Sequence, residues 1–444
     1  MVRLQAGPWV VNMPIRRKNS PISAARRGFA AVAVSVFVAG CAGDVKGVLA
    51  PVASTVPGTS KVTMLVATTR AADPDAGVLF SGERGKPAYV EMTISLPPDS
   101  RRKVGEVQWP SRLPGNPETD FVTLKVDKLD AKTGLARLHE RVSRVPKRRV
   151  MVFVHGFNNR FEDAVYRFAQ IVHDSDADVV PVLFTWPSRG SIFAYGYDRE
   201  STNYSRSALE NLLQNLARDP AVGEISLLAH SMGNWVALEA LTQMAIRNRG
   251  IPPKIANVML ASPDVDADVF RTQIAEMEGR RPKFTLFVSQ DDRALAVSRR
   301  VWGGKDRLGA VDPDVEPYKS EFEQLKITVL NLTKLRTGDK LNHGKFAESP
   351  EVVKLIGTRL VDGQPITDSR VGLGDRLIEV TGSAAAAVGT AAGIVVSAPV
   401  AVVDPQARRN LGDRFEHLGN NLQDTGSAVG DTVTTPFQNP NAPR

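Results

Sequence analysis

The sequence of 444 residues contains a single cysteine, Cys41. One cysteine cannot form a disulfide within the chain, and it excludes a metal site built from several cysteines. Acidic residues are absent from the first forty positions, which hold six of the 56 lysines and arginines. Because the formal net charge is +8, the rest of the chain is close to neutral. The charge therefore gives no support to a nucleic-acid partner.

The position of Cys41 indicates an export signal. Arg26 and Arg27 precede the apolar run 28–37, and small residues lead directly to the cysteine. This arrangement resembles a bacterial lipoprotein signal, which implies cleavage before Cys41, a lipid on that residue and anchoring at the periplasmic face of a membrane. Ala42 and Gly43, directly after Cys41, lack the aspartate that commonly retains lipoproteins at the inner membrane, which favours the outer membrane. A plain secretory signal or an uncleaved anchor is the alternative.

Composition divides the chain into a leader, a folded domain and a tail. The segment after Cys41 is rich in small residues and proline, which predicts a flexible tether. Beyond about residue 362, small residues dominate, which favours a loosely ordered or surface-associated tail over a membrane-spanning helix. The predicted organisation is a signal peptide over 1–40, a tether over 41–59, a domain over 60–362 and a tail over 363–444.

The domain has two kinds of pattern. From Arg148 onward, short apolar runs alternate with helical patterns, which is typical of a mostly parallel sheet with helices on both faces. Residues 60–145 contain period-two patterns such as Tyr89–Leu96, and they are predicted to extend that sheet with mostly antiparallel strands. Residues 146–362 form the predicted catalytic core of an α/β fold. Segment 189–203 is predicted to be a loop that borders the pocket.

The stretch from Ile225 to Gly233 has the pattern of a nucleophile elbow. It begins as a buried strand, turns sharply around Ser231 and continues as a helix. The turn requires small residues on both sides of the serine because strand and helix approach closely there, and Ala229 and Gly233 meet that requirement. Ser231 is therefore the predicted nucleophile. The alternative is a serine in an ordinary loop between a strand and a helix.

A serine nucleophile needs a base and an acid, which we expect at the ends of later strands. Of the six histidines, His343 is the predicted base because it lies in a polar loop after the last core strand. Asp292 is the favoured acid and Asp264, after the preceding strand, is the runner-up. The order serine, acid, histidine is that of α/β-hydrolases. Asp291 is interpreted as a solvated turn residue or a helix cap.

The loop from His155 to Asn158 follows an early core strand, where an oxyanion loop belongs. Gly156 allows the backbone to bend, so the N–H of Phe157 is one predicted oxyanion donor. The N–H of Met232, the residue after the nucleophile, is the other. A tight turn capped by Asn158 explains the same residues and is compatible with this role.

The central part of the chain contains these short motifs: Ala67–Arg70, Ser95–Pro98, Val154–Asn158, Trp186–Ser188, Tyr197–Ser201, His230–Gly233, Ala261–Asp264, and Asp292–Leu295 with Ser298. Together they resemble a family of uncharacterised bacterial α/β-hydrolases, described as esterase/lipase-superfamily proteins with a domain of unknown function. The resemblance covers about residues 60–360. It implies the α/β-hydrolase fold and a serine hydrolase, and it implies no particular substrate.

The expected function is a membrane-anchored serine esterase or lipase-like hydrolase that acts on a small-molecule or lipid ester. Ser231, His343 and Asp292 are the expected triad, and no metal or organic cofactor is expected because this chemistry needs none. Two alternatives stay open. An acyltransferase uses the same triad, and a non-catalytic envelope scaffold would make use of the repeated, alanine- and glycine-rich tail.

Overall fold

A computed structural model describes residues 45–53, 56–302, 304–357 and 379–381. The strands of this part of the chain form one ten-stranded sheet, in the order β10-β9-β8-β7-β6-β4-β5-β1-β2-β3. In chain order they are β1 Ser60–Ala72, β2 Phe80–Leu96, β3 Val122–Leu129, β4 Arg149–Val154, β5 Val180–Thr185, β6 Glu224–His230, β7 Ile255–Ala261, β8 Lys283–Val288, β9 Thr328–Asn331 and β10 Glu379–Thr381.

Helices connect most of the strands from β4 onward. The α-helices are α1 Ala131–Val142, α2 Phe161–Ser175, α3 Tyr195–Arg218, α4 Gly233–Asn248, α5 Ala267–Glu276, α6 Arg293–Val301, α7 Tyr318–Leu325, α8 Lys345–Glu348 and α9 Pro350–Leu355. None of the helices in the described ranges is long and apolar enough to cross a membrane.

The strand pairs from β9 across to β1 are parallel, whereas β1 with β2, β2 with β3 and β9 with β10 are antiparallel. Strands β4 and β5 are buried along their whole length. Continuous apolar sequence suits such strands because helices cover both faces of a parallel sheet. The predicted α/β-hydrolase fold, with its mostly parallel central sheet, is confirmed.

Two apolar cores lie on the opposite faces of this sheet. In β4, Val152 belongs to the core that α1, α3, α4 and α5 cover, while Met151 belongs to the core that α2, α8 and α9 cover. Successive strand residues point to opposite faces, so one strand contributes to both cores. The sheet is therefore held between two helical layers, and its carboxyl edge is left open for a site.

The N-terminal strands join the core through β1. Leu65 of β1 pairs with Val182 of β5 in parallel, and β2 and β3 continue outward in antiparallel fashion. Residues 45–53 of the predicted tether pack against the domain. Leu49 is fully buried, and the Tyr166 hydroxyl donates to the Val48 carbonyl at 2.9 Å. Backbone hydrogen bonds from Leu49 to Gly77 and from Val52 to Thr123 also attach this short segment to the domain.

Two further segments differ from their predictions. Segment 189–203, predicted as a loop, enters helix α3 at Tyr195. The inner face of this first part of α3 is polar, with Asp198 and Ser201 buried, so the apolar periodicity of a helix is missing there. The strand β10 lies within the predicted tail and pairs with β9. The rest of the tail, the signal peptide and Cys41 lie outside the described residues.

Candidate active site

Ser231 lies in a sharp turn between β6 and α4. Its backbone has a φ of 53°, in the left-handed region that L-residues with a side chain rarely adopt. The turn is held because the Ser231 N–H donates to the Ala261 carbonyl at 2.9 Å and the Asn234 side chain donates to the Ser231 carbonyl at 2.8 Å. This strained turn, with a serine at its apex, has the geometry of a nucleophile elbow.

Two glycines let neighbouring backbones approach the elbow. A Cβ on Gly233 would clash with the backbone carbonyl of His155, so the start of α4 could not lie against the end of β4 with a larger residue there. A Cβ on Gly156 would lie 2.8 Å from the Cβ of Ser231. The loop after β4 therefore packs directly against the serine, as the oxyanion interpretation requires.

His343 and Asp292 are brought together by the structure. The imidazole Nδ1 lies 2.7 Å from Asp292 Oδ2, and the carboxylate is fully buried. Burial alone would lower the pKa of His343, but the charge of Asp292 and its hydrogen bond outweigh burial and raise that pKa above its ordinary value. With Nδ1 bonded to the carboxylate, Nε2 is the nitrogen left to exchange a proton with a substrate or nucleophile.

The loop that carries His343 is fixed at several points. Asp339 accepts the backbone N–H groups of His343 at 2.6 Å and Gly344 at 2.8 Å. Ser262, at the end of β7, donates its hydroxyl to the His343 carbonyl at 3.2 Å. Since β7 is the neighbour of β6, these contacts hold the histidine loop over the same edge of the sheet as Ser231.

The Ser231 hydroxyl and the His343 imidazole share no hydrogen bond in the described structure. Catalytic hydrogen bonds are often long or poorly aligned before a substrate binds, so this geometry is compatible with a nucleophile and its base. His230, beside the nucleophile in sequence, packs its ring on Phe346 at 4.7 Å and on the His343 ring at 4.8 Å. Burial, followed by the charge of His343, keeps the pKa of His230 well below its ordinary value.

Asp264, the runner-up acid, is committed to a different cluster. Its carboxylate accepts from the Ser298 hydroxyl at 2.6 Å and from the Tyr195 hydroxyl at 2.9 Å, with Arg307 Nε at 3.4 Å. Burial raises its pKa. No hydrogen bond from His343 reaches it within the described part of the chain. Among the two candidates, Asp292 is the one in contact with the imidazole.

Asp291 stabilises the histidine loop through a buried lysine. Lys345 Nζ lies 2.7 Å from Asp291 Oδ1, and it also donates to the Leu332 carbonyl at 3.1 Å. The cap of α6 is Asp292, whose Oδ1 accepts the Leu295 N–H at 3.0 Å. Asp291 therefore binds Lys345, whereas Asp292 both caps α6 and contacts His343.

The two predicted oxyanion donors lie on either side of the elbow. Phe157 directly follows Gly156, and Met232 directly follows Ser231 and caps α4. Neither backbone N–H donates to any other residue that the structure describes. Backbone donors without an internal acceptor are what an oxyanion needs, because they are available to a developing negative charge.

Comparison with known families gives one match. The family described as alpha/beta hydrolase of unknown function, DUF900, matches residues 131–359, which is more than half of the chain. The chain belongs to this family. Membership agrees with the observed fold and supports hydrolase chemistry in general. No curated protein matches the sequence.

In this α/β-hydrolase, several of the motifs meet in a buried polar network that the sequence did not reveal. Arg70, at the end of β1, donates to the Ser188 carbonyl at 2.8 Å and to the Asn159 carbonyl at 2.8 Å. Its Nη2 lies 3.3 Å from His155 Nε2. The Ser188 hydroxyl donates to Asp198 Oδ2 at 2.5 Å. Through His155 and Asn159 the network holds the two ends of the short loop that carries Phe157.

The charges in this network follow from burial. Burial lowers the pKa of His155 to about 3, and the nearby Arg70 guanidinium contributes to the same shift. Burial also lowers the pKa of Arg70 to about 10. The Trp186 backbone N–H donates to His155 Nε2 at 3.1 Å, which requires an unprotonated nitrogen. His155 of the hydrolase is therefore a neutral structural residue.

Aromatic side chains border the site on the side of α3. The Tyr195 ring packs edge-on against Phe157 at 5.2 Å and stacks on Trp302 at 4.9 Å. The Trp235 indole, in the first turn of α4, donates to the Asp264 carbonyl at 2.5 Å. An aromatic wall beside an oxyanion loop is suited to an apolar part of a substrate.

A cavity of about 530 Å³ lies elsewhere in the hydrolase, between α1, α3 and the strands β1 and β2. Its lining includes Leu65, Leu135 and Leu212, with His139 and Asp219 at one end, and it includes neither Ser231 nor His343. Volume alone would favour this cavity as the binding site. Ser231 marks the candidate site because the strained serine turn, the His343–Asp292 pair and the unpaired backbone donors occur together there and not at the cavity.

Proposed function

We propose that the chain is a serine hydrolase that cleaves carboxylic esters through Ser231, His343 and Asp292. The observation that carries the proposal is the 2.7 Å contact between Asp292 Oδ2 and His343 Nδ1, at the strand edge where the strained Ser231 turn lies. A buried carboxylate on Nδ1 fixes the tautomer and orientation that a general base needs. The strained turn presents a hydroxyl for attack.

In the proposed reaction, Ser231 Oγ attacks the ester carbonyl while His343 Nε2 takes its proton. The carbonyl oxygen becomes an oxyanion that accepts hydrogen bonds from the Phe157 and Met232 N–H groups. His343 then gives the proton to the departing alcohol, which leaves an acyl group on Ser231. A water molecule attacks this acyl-enzyme, again with His343 as base, and releases the acid. The steps require no metal or organic cofactor.

The test is covalent labelling with a fluorophosphonate probe, which reacts with activated serines. We expect wild type to be labelled, and we expect Ser231→Ala and His343→Ala to lose labelling. Ser207→Ala is the control, because Ser207 is exposed on α3 and its hydroxyl donates to Gln243, not to a group of the candidate site. Labelling that persists in Ser231→Ala would overturn the assignment, and loss of labelling in Ser207→Ala as well would show that the loss is not specific to Ser231.

We also propose that Cys41 is lipidated and anchors the hydrolase to a membrane. The support is the signal-like sequence before Cys41 and the attachment of residues 45–53 to the domain. Incorporation of labelled palmitate in cells tests this directly, with Cys41→Ser as the comparison. Equal incorporation in both proteins, or none in either, would contradict the proposal.

A further inference from the structure

Five apolar side chains are exposed on two adjoining segments near the candidate site. We call this set the apolar rim: Ile192, Phe193, Val297, Val301 and Trp302. Phe193 is 93 % exposed and Ile192 is 67 % exposed, in the turn just before α3. Single exposed apolar residues are common in soluble proteins, but a group of five on neighbouring segments indicates an interaction surface.

The two segments of the rim meet at Tyr195. This residue begins α3, two positions after Phe193, and its ring stacks on Trp302 at 4.9 Å. Its hydroxyl lies 3.2 Å from that of Ser298 on α6. The Tyr195 ring also packs edge-on against the ring of Phe157, with the ring centroids 5.2 Å apart. Phe157 carries one of the proposed oxyanion donors. The rim therefore lies beside Tyr195, which connects it to the Phe157 loop of the candidate site.

The exposed side of α6 is basic as well as apolar. Arg293, Val297, Arg300 and Val301 follow the spacing of one helix face and are exposed. Arg293 and Arg300 pair with no acid among the described residues, whereas Arg299 pairs with Asp306 at 3.0 Å. Apolar and aromatic side chains flanked by uncompensated arginines match a surface with an apolar interior and negative headgroups.

We propose that the apolar rim inserts into an anionic lipid bilayer and that the ester cleaved at Ser231 belongs to a membrane lipid. The inference about the substrate rests on the proposed function. The inference about docking rests on the rim alone. A bilayer fits better than a second copy of the chain, because a second copy would present the same arginines to the rim and leave their charges uncompensated.

The chain also brings a bilayer within reach of the domain. Only residues 42–44 separate Cys41 from Val45, where the described domain begins. An extended chain covers at most about 3.5 Å per residue, so a lipid on Cys41 would hold the start of the domain within roughly 15 Å of the membrane. Repeated contact between the rim and the bilayer would then cost little entropy.

The experiment uses the single cysteine. In the full chain, Cys41→Ser removes the only thiol, and Phe193→Cys or Ile246→Cys then places one environment-sensitive fluorophore. Ile246 is the matched control because it is also exposed, at 63 %, and lies near the far end of α4. Ile246 lies fifteen residues after Ser231, almost all of them in α4, and the rise of a helix places it about 20 Å from Ser231. Vesicles contain phosphatidylglycerol and phosphatidylcholine in equal parts, with doxyl-labelled lipid as the quencher.

We expect the label at 193 to shift to shorter wavelength and to be quenched, and the label at 246 to be unaffected. Removing both unpaired charges, with Arg293→Gln and Arg300→Gln, should raise the lipid concentration at half-signal by about tenfold or more at low salt. The control for net charge is Lys128→Gln with Lys132→Gln, which should leave that concentration unchanged. Because the signal is local, binding through another part of the chain does not imitate it.

Equal quenching at 193 and 246, or none at 193, would overturn the docking proposal. Equal insertion into pure phosphatidylcholine would overturn its anionic part, and a spectral shift that requires protein self-association instead of lipid would assign the rim to a second copy. Hydrolysis of a water-soluble ester by the same preparations keeps the two proposals separate. Hydrolysis without insertion removes docking alone, whereas insertion without hydrolysis of any ester removes the proposed function alone.

Discussion

Asp292 contacts His343 with one carboxylate oxygen and caps helix α6 with the other. Oδ2 lies 2.7 Å from the imidazole Nδ1, and Oδ1 accepts the Leu295 N–H at 3.0 Å. The cap fixes the rotation of the carboxylate, so the oxygen that faces the histidine is held in place before any substrate arrives. The acid of the proposed triad is thereby positioned by backbone structure, not by side chains alone.

Because Asp292 makes both contacts, one substitution can remove its charge and keep its helix cap. Asp292→Asn keeps a good helix cap, because asparagine caps as well as aspartate, but it removes the charge beside His343. We expect kcat on a soluble ester to fall by about 10³–10⁴-fold, with the urea denaturation midpoint changed little. Asp264→Asn is the control, since its carboxylate bonds Ser298 and Tyr195 and not the imidazole. A greater loss of kcat in Asp264→Asn would assign the acid to that residue instead.

The pH dependence of ester hydrolysis should report the same pair. His343 must be unprotonated to act as base, and its pKa is raised above an ordinary value of 6.5. Activity should therefore rise with pH along a limb whose midpoint lies above that value. In Asp292→Asn burial is no longer opposed by the carboxylate, so the residual activity should keep its plateau to lower pH. A limb that stays in place in the variant would show that another group controls it.

Gly156 offers a test of the oxyanion loop. In Gly156→Ala the new Cβ would lie 2.8 Å from Ser231 Cβ and 3.0 Å from His230 Nδ1, so the loop or the elbow must move. Small displacements of catalytic groups are costly, and we expect kcat to fall by about 100-fold or more. Gly196→Ala is the control because no atom lies within 4 Å of its added Cβ. Full activity in Gly156→Ala would contradict the placement of this loop.

Stability should depend on the buried Arg102–Asp174 pair, which joins the N-terminal segment to α2. Arg102 Nη1 lies 2.8 Å from Asp174 Oδ1, and both side chains are almost completely buried. Asp174→Asn leaves the buried arginine with only the exposed Asp99, 4.0 Å away, as an anion, and we expect a loss of about 3 kcal/mol in the free energy of unfolding at neutral pH. The exposed Arg101–Glu118 pair is the control, and Glu118→Gln should cost less than about 1 kcal/mol.

The same pair should make the stability of the fold depend on pH in the acid range. Although burial opposes ionisation, hydrogen bonds from His173, Arg102, Gly105 and Gln170 lower the pKa of Asp174 from 3.8 to about 2. A depressed pKa stabilises the fold above the ordinary value, and this contribution is lost as the pH falls towards about 2. Wild type should lose stability over that interval more steeply than Asp174→Asn. Parallel stability curves for the two proteins would contradict the assignment.

The sequence predicted those structural features of the candidate site that local pattern determines. The run from Ile225 to Gly233 has buried apolar residues, small residues at the turn and a helical continuation, and each of these is a short-range property. The choice between Asp292 and Asp264 is different, because both follow strands that end at the same edge. Only the direction of each side chain separates them, and that direction depends on partners distant in sequence, such as Ser298.

Burial of polar residues explains the main errors. The first turns of α3 place Asp198 and Ser201 inward, towards the network around Arg70, so a pattern based on apolar spacing described a loop there. In the opposite sense, the segment containing Val48 and Leu49 is so short and so rich in small residues that its composition indicated a flexible tether. Burial of two side chains, together with hydrogen bonds to the domain, outweighs that composition.

The pairing of β1 with β5 has a consequence for dissecting this protein. The family match begins at residue 131, but Arg70 reaches the loop of His155 from β1, which lies before that boundary. A fragment trimmed to the matched region would leave the β5 edge unpaired and the His155 loop without its support. We therefore expect the smallest fragment that folds alone to extend beyond residues 131–359, and fragment libraries cut at these limits would miss it.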